Sequence, residues 1–147
     1  MKVILVRCAS HCNSKTDAQC DELVEGLRSA GHRTELCILP PIGTGFEALM
    51  AVASHRLMNL QSSCDALICL DRVACLLRHD RKLALLANQA TPARGPSVSS
   101  EEVYLLNLIE AGVGEARKLK LPTRKKSDRE RSPGTRRDFS VLLRELT

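Results

Sequence analysis

The groups best placed to do chemistry fall in two clusters. Arg78, His79, Asp80, Arg81 and Lys82 are consecutive and lie between two apolar runs in the 26-residue stretch Cys64 to Gln89. Four of these five side chains can carry positive charge or donate hydrogen bonds. Such a group suits an anion contact, as to a phosphate-bearing acceptor or a sugar donor. Against that stands the commoner situation of a solvated charged turn between two elements. The second cluster is Arg7 to Lys15, which contains Cys8, Ser10, His11, Cys12 and Asn13 directly after an apolar run.

The elements that must hold these groups follow from hydropathy. Val3 to Val6 is a continuous apolar run of the kind buried on both faces of a sheet. Ser14 and Asp17 resemble a capping box, and Cys20, Leu23, Val24 and Leu27 then form a helical stripe that Gly31 terminates. Arg33 to Leu39 is a second strand, stopped by Pro40-Pro41. Phe46, Leu49, Met50, Ala53, Leu57 and Leu60 give the next helix its apolar positions. Ala66 to Leu70 is a third strand, Val73 to Leu77 a short helical turn, and Leu83 to Ala87 a fourth strand. A loop from Thr91 to Ser100 precedes a helix to about Arg117, in which Gly112 and Gly114 are unfavourable. Lys118 to Leu121 is a short fifth strand. Strands alternating with helices predict an α/β, Rossmann-like parallel sheet with flanking helices over residues 1–121.

Composition bounds the rest. The chain has 147 residues, enough for one domain, and only 2% aromatics, so Leu, Val, Ile, Ala and Cys must build its core. Residues 1–116 carry 11 basic and 13 acidic side chains, whereas 117–147 carry 11 and 4, so the basic charge belongs to a tail. Residues 122–137 read as a basic disordered linker. Residues 138–147 read as a short amphipathic helix with Phe139, Leu142, Leu143 and Leu146 on one face. Basic residues over 124–137 suit contact with an anionic membrane. Nucleic acid is disfavoured, since no aromatics interleave with the basic residues. Seven cysteines and no export signal point to reduced thiols and a cytoplasmic location, peripheral to the inner membrane face if the tail binds lipid.

No cofactor or metal is expected. A dinucleotide site would place glycines after the first strand, yet Met1 to Glu25 contains none. Cys8, His11, Cys12 and Cys20 lack the spacing of a zinc finger. Cys8 is followed at the Cys-x5-Arg spacing of low-molecular-weight tyrosine phosphatases by Ser14, which cannot clamp a phosphate as arginine does.

Three motifs carry a family resemblance. The first is Gly26-Leu27-Arg28-Ser29-Ala30-Gly31-His32 before the second strand. The second runs from Arg56, Leu57 and Leu60 through Asp65-Ala66-Leu67-Ile68 to Ala74, Leu76, His79, Lys82, Leu86 and Gln89. The third is Gly114-Glu115-Ala116-Arg117-Lys118-Leu119. Together they resemble the N-terminal domain of bacterial family-4 glycosyltransferases of the GT-B fold, most closely over 56–89. Arg72-Val73 replaces that family's Phe-Pro, Asp80 its proline after the histidine, and Asn88 its histidine before Gln89.

The resemblance implies a single half of a GT-B fold on the acceptor side, with a nucleotide sugar as donor only if a partner domain is present. It also implies substrate contacts at His79, Lys82, Asn88 and Gln89. His11 and Asn13 join them from the loop that replaces the family's glycine-rich one. No catalytic residue is assigned. Three functions are compatible with these features: a split-enzyme subunit that pairs with a separate C-terminal donor-binding domain or subunit, a noncatalytic remnant, and a small Rossmann-like binding protein whose basic tail contacts anionic membrane or nucleic acid.

Overall fold

A computed structural model describes residues 1–9, 14–86, 100–118, 142 and 144–145. The sheet has five parallel strands in the order β2-β1-β3-β4-β5. These are β1 (Lys2–Cys8), β2 (Arg33–Leu39), β3 (Ala66–Cys69), β4 (Lys82–Ala84) and β5 (Arg117–Lys118). Helices α1 (Ser14–Ser29), α2 (Gly45–Leu57) and α3 (Ser100–Glu115) join them, with a 3-10 turn at Ala74–Leu76 between β3 and β4. The α/β, Rossmann-like class read from the hydropathy pattern is the class observed. Strands β4 and β5 begin one residue earlier than the apolar runs suggest, because Lys82 and Arg117 enter the ladder.

Alternation along each strand divides the core into two layers. Val3, Leu5, Ala66, Ile68, Leu83 and Leu85 face Cys20, Leu23 and Leu27 of α1. Ile4, Val6, Leu67, Cys69 and Ala84 face the opposite way, with Val113 of α3 and Ala116 just after it. Burial on both faces explains why β1 and β3 read as unbroken apolar runs. The α1 layer needs one more cover, since the turn between β3 and β4 places no helix there. Leu142 provides it: helical and fully buried, it joins the same cluster as Ile68, Leu83 and Leu85. Glu145 fastens the segment by a 2.6 Å ion pair to Arg117. The linker 122–137 lies outside the described residues, as does most of the C-terminal helix.

Two glycines have positional reasons. Gly31, at φ 84°, sits in the left-handed conformation that closes α1, where His32 N–H donates to Leu27 O at 3.0 Å. At Gly112 a Cβ would lie 2.7 Å from the Cys75 carbonyl oxygen, so α3 rests directly on the backbone of the 3-10 turn. The cost of glycine within α3 is thereby offset by a close approach that no other residue permits.

Among the described residues no helix is long and apolar enough to cross a membrane. Burial of Leu142 predicts that Leu142→Ala destabilises the fold by about 3 kcal/mol. Urea unfolding followed by circular dichroism measures this; an unchanged midpoint would mean that the C-terminal segment does not cover the α1 layer.

Candidate functional site

In a parallel sheet the ligand crevice lies at the carboxyl ends of the strands, where the order reverses. Here β2 and β3 flank β1, so the reversal lies between β1 and β3. Asp71, which follows β3, occupies that point and is 1% exposed. Its Oδ2 accepts the Cys8 backbone N–H at 2.5 Å, and its Oδ1 accepts the Ala74 N–H at 2.8 Å. One carboxylate therefore bonds the Cys8 amide at the end of β1 and the first amide of the 3-10 turn. It fills the place where a ligand's anionic group would meet the main chain.

Around Asp71 the crevice is framed by charge pairs. Arg7 bonds Asp17 of α1 at 2.5 Å, and Arg72 bonds Glu110 of α3. The Cys8 thiol donates to Pro40 O at 3.5 Å, the Cys75 thiol to Asp71 O at 3.4 Å. His55 reaches the same layer from the inner face of α2, alongside Ala48 and Val52, and is 3% exposed. Its Nδ1 has no hydrogen-bond partner among the described residues. Burial lowers the imidazole pKa below its ordinary 6.5, and the charge of Asp71 partly opposes this. A neutral buried imidazole near a buried carboxylate is able to take up and pass on a proton or to orient a hydroxyl group.

His79 and Lys82 lie elsewhere. The chain leaves β3 at its carboxyl end and must return to the amino end before entering β4. The charged pentapeptide completes that return and sits at the sheet's amino edge. His79 Nδ1 accepts the Arg81 backbone N–H at 3.0 Å, so its Nε2 carries the proton and donates to Cys64 O at 3.1 Å. Asp80 and Gln61 exchange two hydrogen bonds, each 2.9 Å.

Lys82, 4% exposed, directs its ammonium inward. Nζ donates to Cys75 O at 2.7 Å and Leu77 O at 3.0 Å, with Glu115 Oε2 at 3.4 Å. Glu115 in turn receives Arg56 through both carboxylate oxygens. The Arg56 guanidinium, with burial opposing and Lys82 assisting, holds the Glu115 carboxyl down at about 2. These contacts tie β4 to the 3-10 turn, α2 and α3, and the Lys82 ammonium is used up by the fold.

His11, Asn13, Asn88 and Gln89 lie outside the described residues. Asp71 and His55 were not among the sequence candidates. Asp71 directly follows the apolar run Ala66 to Leu70, the expected position for a residue at the carboxyl edge. His55 lay unmarked in a helix read only for its apolar stripe. Among the described residues, no group of three or more His, Cys, Asp or Glu side chains is arranged to hold a metal.

No family model, no curated protein and no solved structure matches this chain.

The pKa directions fix the sign of an acid response. A histidine lowered on folding binds its proton more readily in the unfolded chain, so stability falls as pH drops below 6.5. The depressed Glu115 contributes stability present above 4.5 and lost as pH falls towards about 2. His55→Leu is therefore expected to flatten the stability profile between pH 6.5 and 4.5 and to leave the steeper acid loss in place. Denaturant midpoints across pH measure both; equal slopes for the two proteins would remove His55 as the cause.

Proposed function

We propose that this chain is a glycosyltransferase-like, acceptor-side domain that works, if at all in transfer, with a separate donor-binding domain or subunit. The observation that carries the reading is the single parallel sheet whose strand order reverses between β1 and β3, to which the motifs over 56–89 add their family likeness. One sheet of this kind offers a ligand a single wall at its carboxyl edge and does not enclose two substrates and exclude water, as group transfer requires.

The arrangement at Asp71 disfavours a phosphate at the end of β1. Asp71 already supplies the negative charge that the Cys8 amide would otherwise draw from a ligand. The carboxylate accepts hydrogen bonds, and the adjacent His55 is held neutral by burial. With both carboxylate oxygens bonded to amides and the residue 1% exposed, Asp71 leaves no open amide at this point for a phosphate to bind. On this reading a donor's diphosphate belongs to the partner domain.

The reading assigns no transfer chemistry to the isolated chain. Purified protein incubated with labelled nucleotide sugars and an acceptor mixture is expected to give no transferred sugar, and to give it once a donor-binding half is added. Calorimetry on the isolated chain is expected to show no heat with nucleoside diphosphates. Sugar transfer by the chain alone, or tight binding of a nucleoside diphosphate to it, would overturn the proposal.

A further inference from the structure

Helix α2 is held to the domain by a small inner face. Of its 13 residues only Ala48, Val52 and His55 are buried. Val52 packs with Cys8, Val73 and Leu76, against which Leu105, Leu108 and Ile109 of α3 also rest. Ala48 and Val52 together bury less apolar area than Cys20, Leu23 and Leu27 do under α1. The imidazole is the largest group on this face and is 3% exposed. Its buried Nδ1 has no hydrogen-bond partner among the described residues. The amino end of the helix adds little, since Thr44 makes no side-chain cap. At the carboxyl end Arg56 fastens the helix to Glu115.

We infer that α2 is an acid-released element: a proton on His55 undocks this helix while the sheet and α1 remain folded. A charge on the ring is removed from water with no partner at Nδ1, so it is better accommodated once α2 has detached. The elements packed against α2 do little to offset it. Arg72, ahead of the 3-10 turn, is paired with Glu110 of α3. Glu115, at the end of α3, is shared by Arg56 and Lys82. Glu102 and Tyr104 belong to the amino end of α3, and Glu47 lies two turns away on α2 itself. Asp71 is the opposite charge that reaches the imidazole, and both its oxygens already accept backbone amides.

The imidazole pKa is below 6.5 while α2 is docked and returns towards 6.5 when water reaches the ring. Docking is therefore complete above 6.5 and weakens as pH falls towards the lowered value. The Glu115 carboxyl, at about 2, keeps its charge over that interval, so the Arg56 contact is not what weakens. Release uncovers Val73 and Leu76, which Val52 otherwise covers. This behaviour is independent of any transfer activity.

Hydrogen exchange of the full chain between about pH 7 and pH 5, read by mass spectrometry and corrected for intrinsic rates, tests the assignment. Amides of α2 are expected to lose protection severalfold, and at most about tenfold per pH unit, the limit for a single proton. Amides of β1 should keep theirs. His55→Gln and His55→Leu should each leave the protection of α2 independent of pH over this range. The first substitution retains a polar side chain of similar size, and the comparison of α2 with β1 in the wild type needs neither variant. Protection lost in parallel by α2 and β1, protection of α2 unchanged in the wild type, or an acid response that survives both substitutions would overturn the inference.

Discussion

The buried ammonium of Lys82 is the contact on which the α2–α3 side of the molecule depends. It sits at the first residue of β4, on the face where β3 places Leu67 and Cys69 and β4 itself places Ala84. A cation there would be costly without partners, and the chain surrounds it with two carbonyl oxygens of the β3–β4 connection and the Glu115 carboxylate. Through Glu115 the same network reaches Arg56 at the end of α2. One charge thus fixes the connector, the exit of α3 and the end of α2 relative to the sheet. Gly112 belongs to the same arrangement, since it lets α3 approach the carbonyl of Cys75 that Lys82 holds.

The opposite edge of the sheet is organised by a buried anion. Asp71 joins β1 to the start of the 3-10 turn through the amides of Cys8 and Ala74. Strands β1 and β3 are the paired strands at which the order reverses, so this carboxylate ties the end of β1 to the turn that follows β3. The fold therefore separates two kinds of charge, a cation that binds α2 and α3 to the amino edge and an anion that prepares the carboxyl edge.

Most of the architecture could be read from the chain because periodicity reports burial. The unbroken run Val3 to Val6 and the stripe Cys20, Leu23, Val24 and Leu27 correspond directly to β1 and the inner face of α1. Of the amphipathic pattern Phe139, Leu142, Leu143 and Leu146, only Leu142 lies among the described residues; it is buried, and the charged residues before it gave no indication of which surface it covers. Gly112 looked unfavourable because close backbone contact across 37 positions leaves no local signal.

The candidate site was less legible, and the reason is topological. A charged connector after an apolar strand marks the carboxyl edge only if its charges come first. In this chain Leu70 to Leu77 intervene, so Arg78 to Lys82 arrive at the amino edge, immediately before the strand they introduce. Asp71, directly after β3, was the residue in the position that such folds use. Lys82 could not be distinguished by type from a ligand-binding lysine, because only its inward direction separates the two roles. The central claim, that Lys82 belongs to the fold and not to an open binding surface, is tested most directly by amine labelling of the native protein. Under brief acetylation followed by mass spectrometry, Lys2, whose side chain is 32% exposed, should react while Lys82 stays protected until the chain is denatured. Labelling of Lys82 as fast as Lys2 in the folded protein would contradict the account.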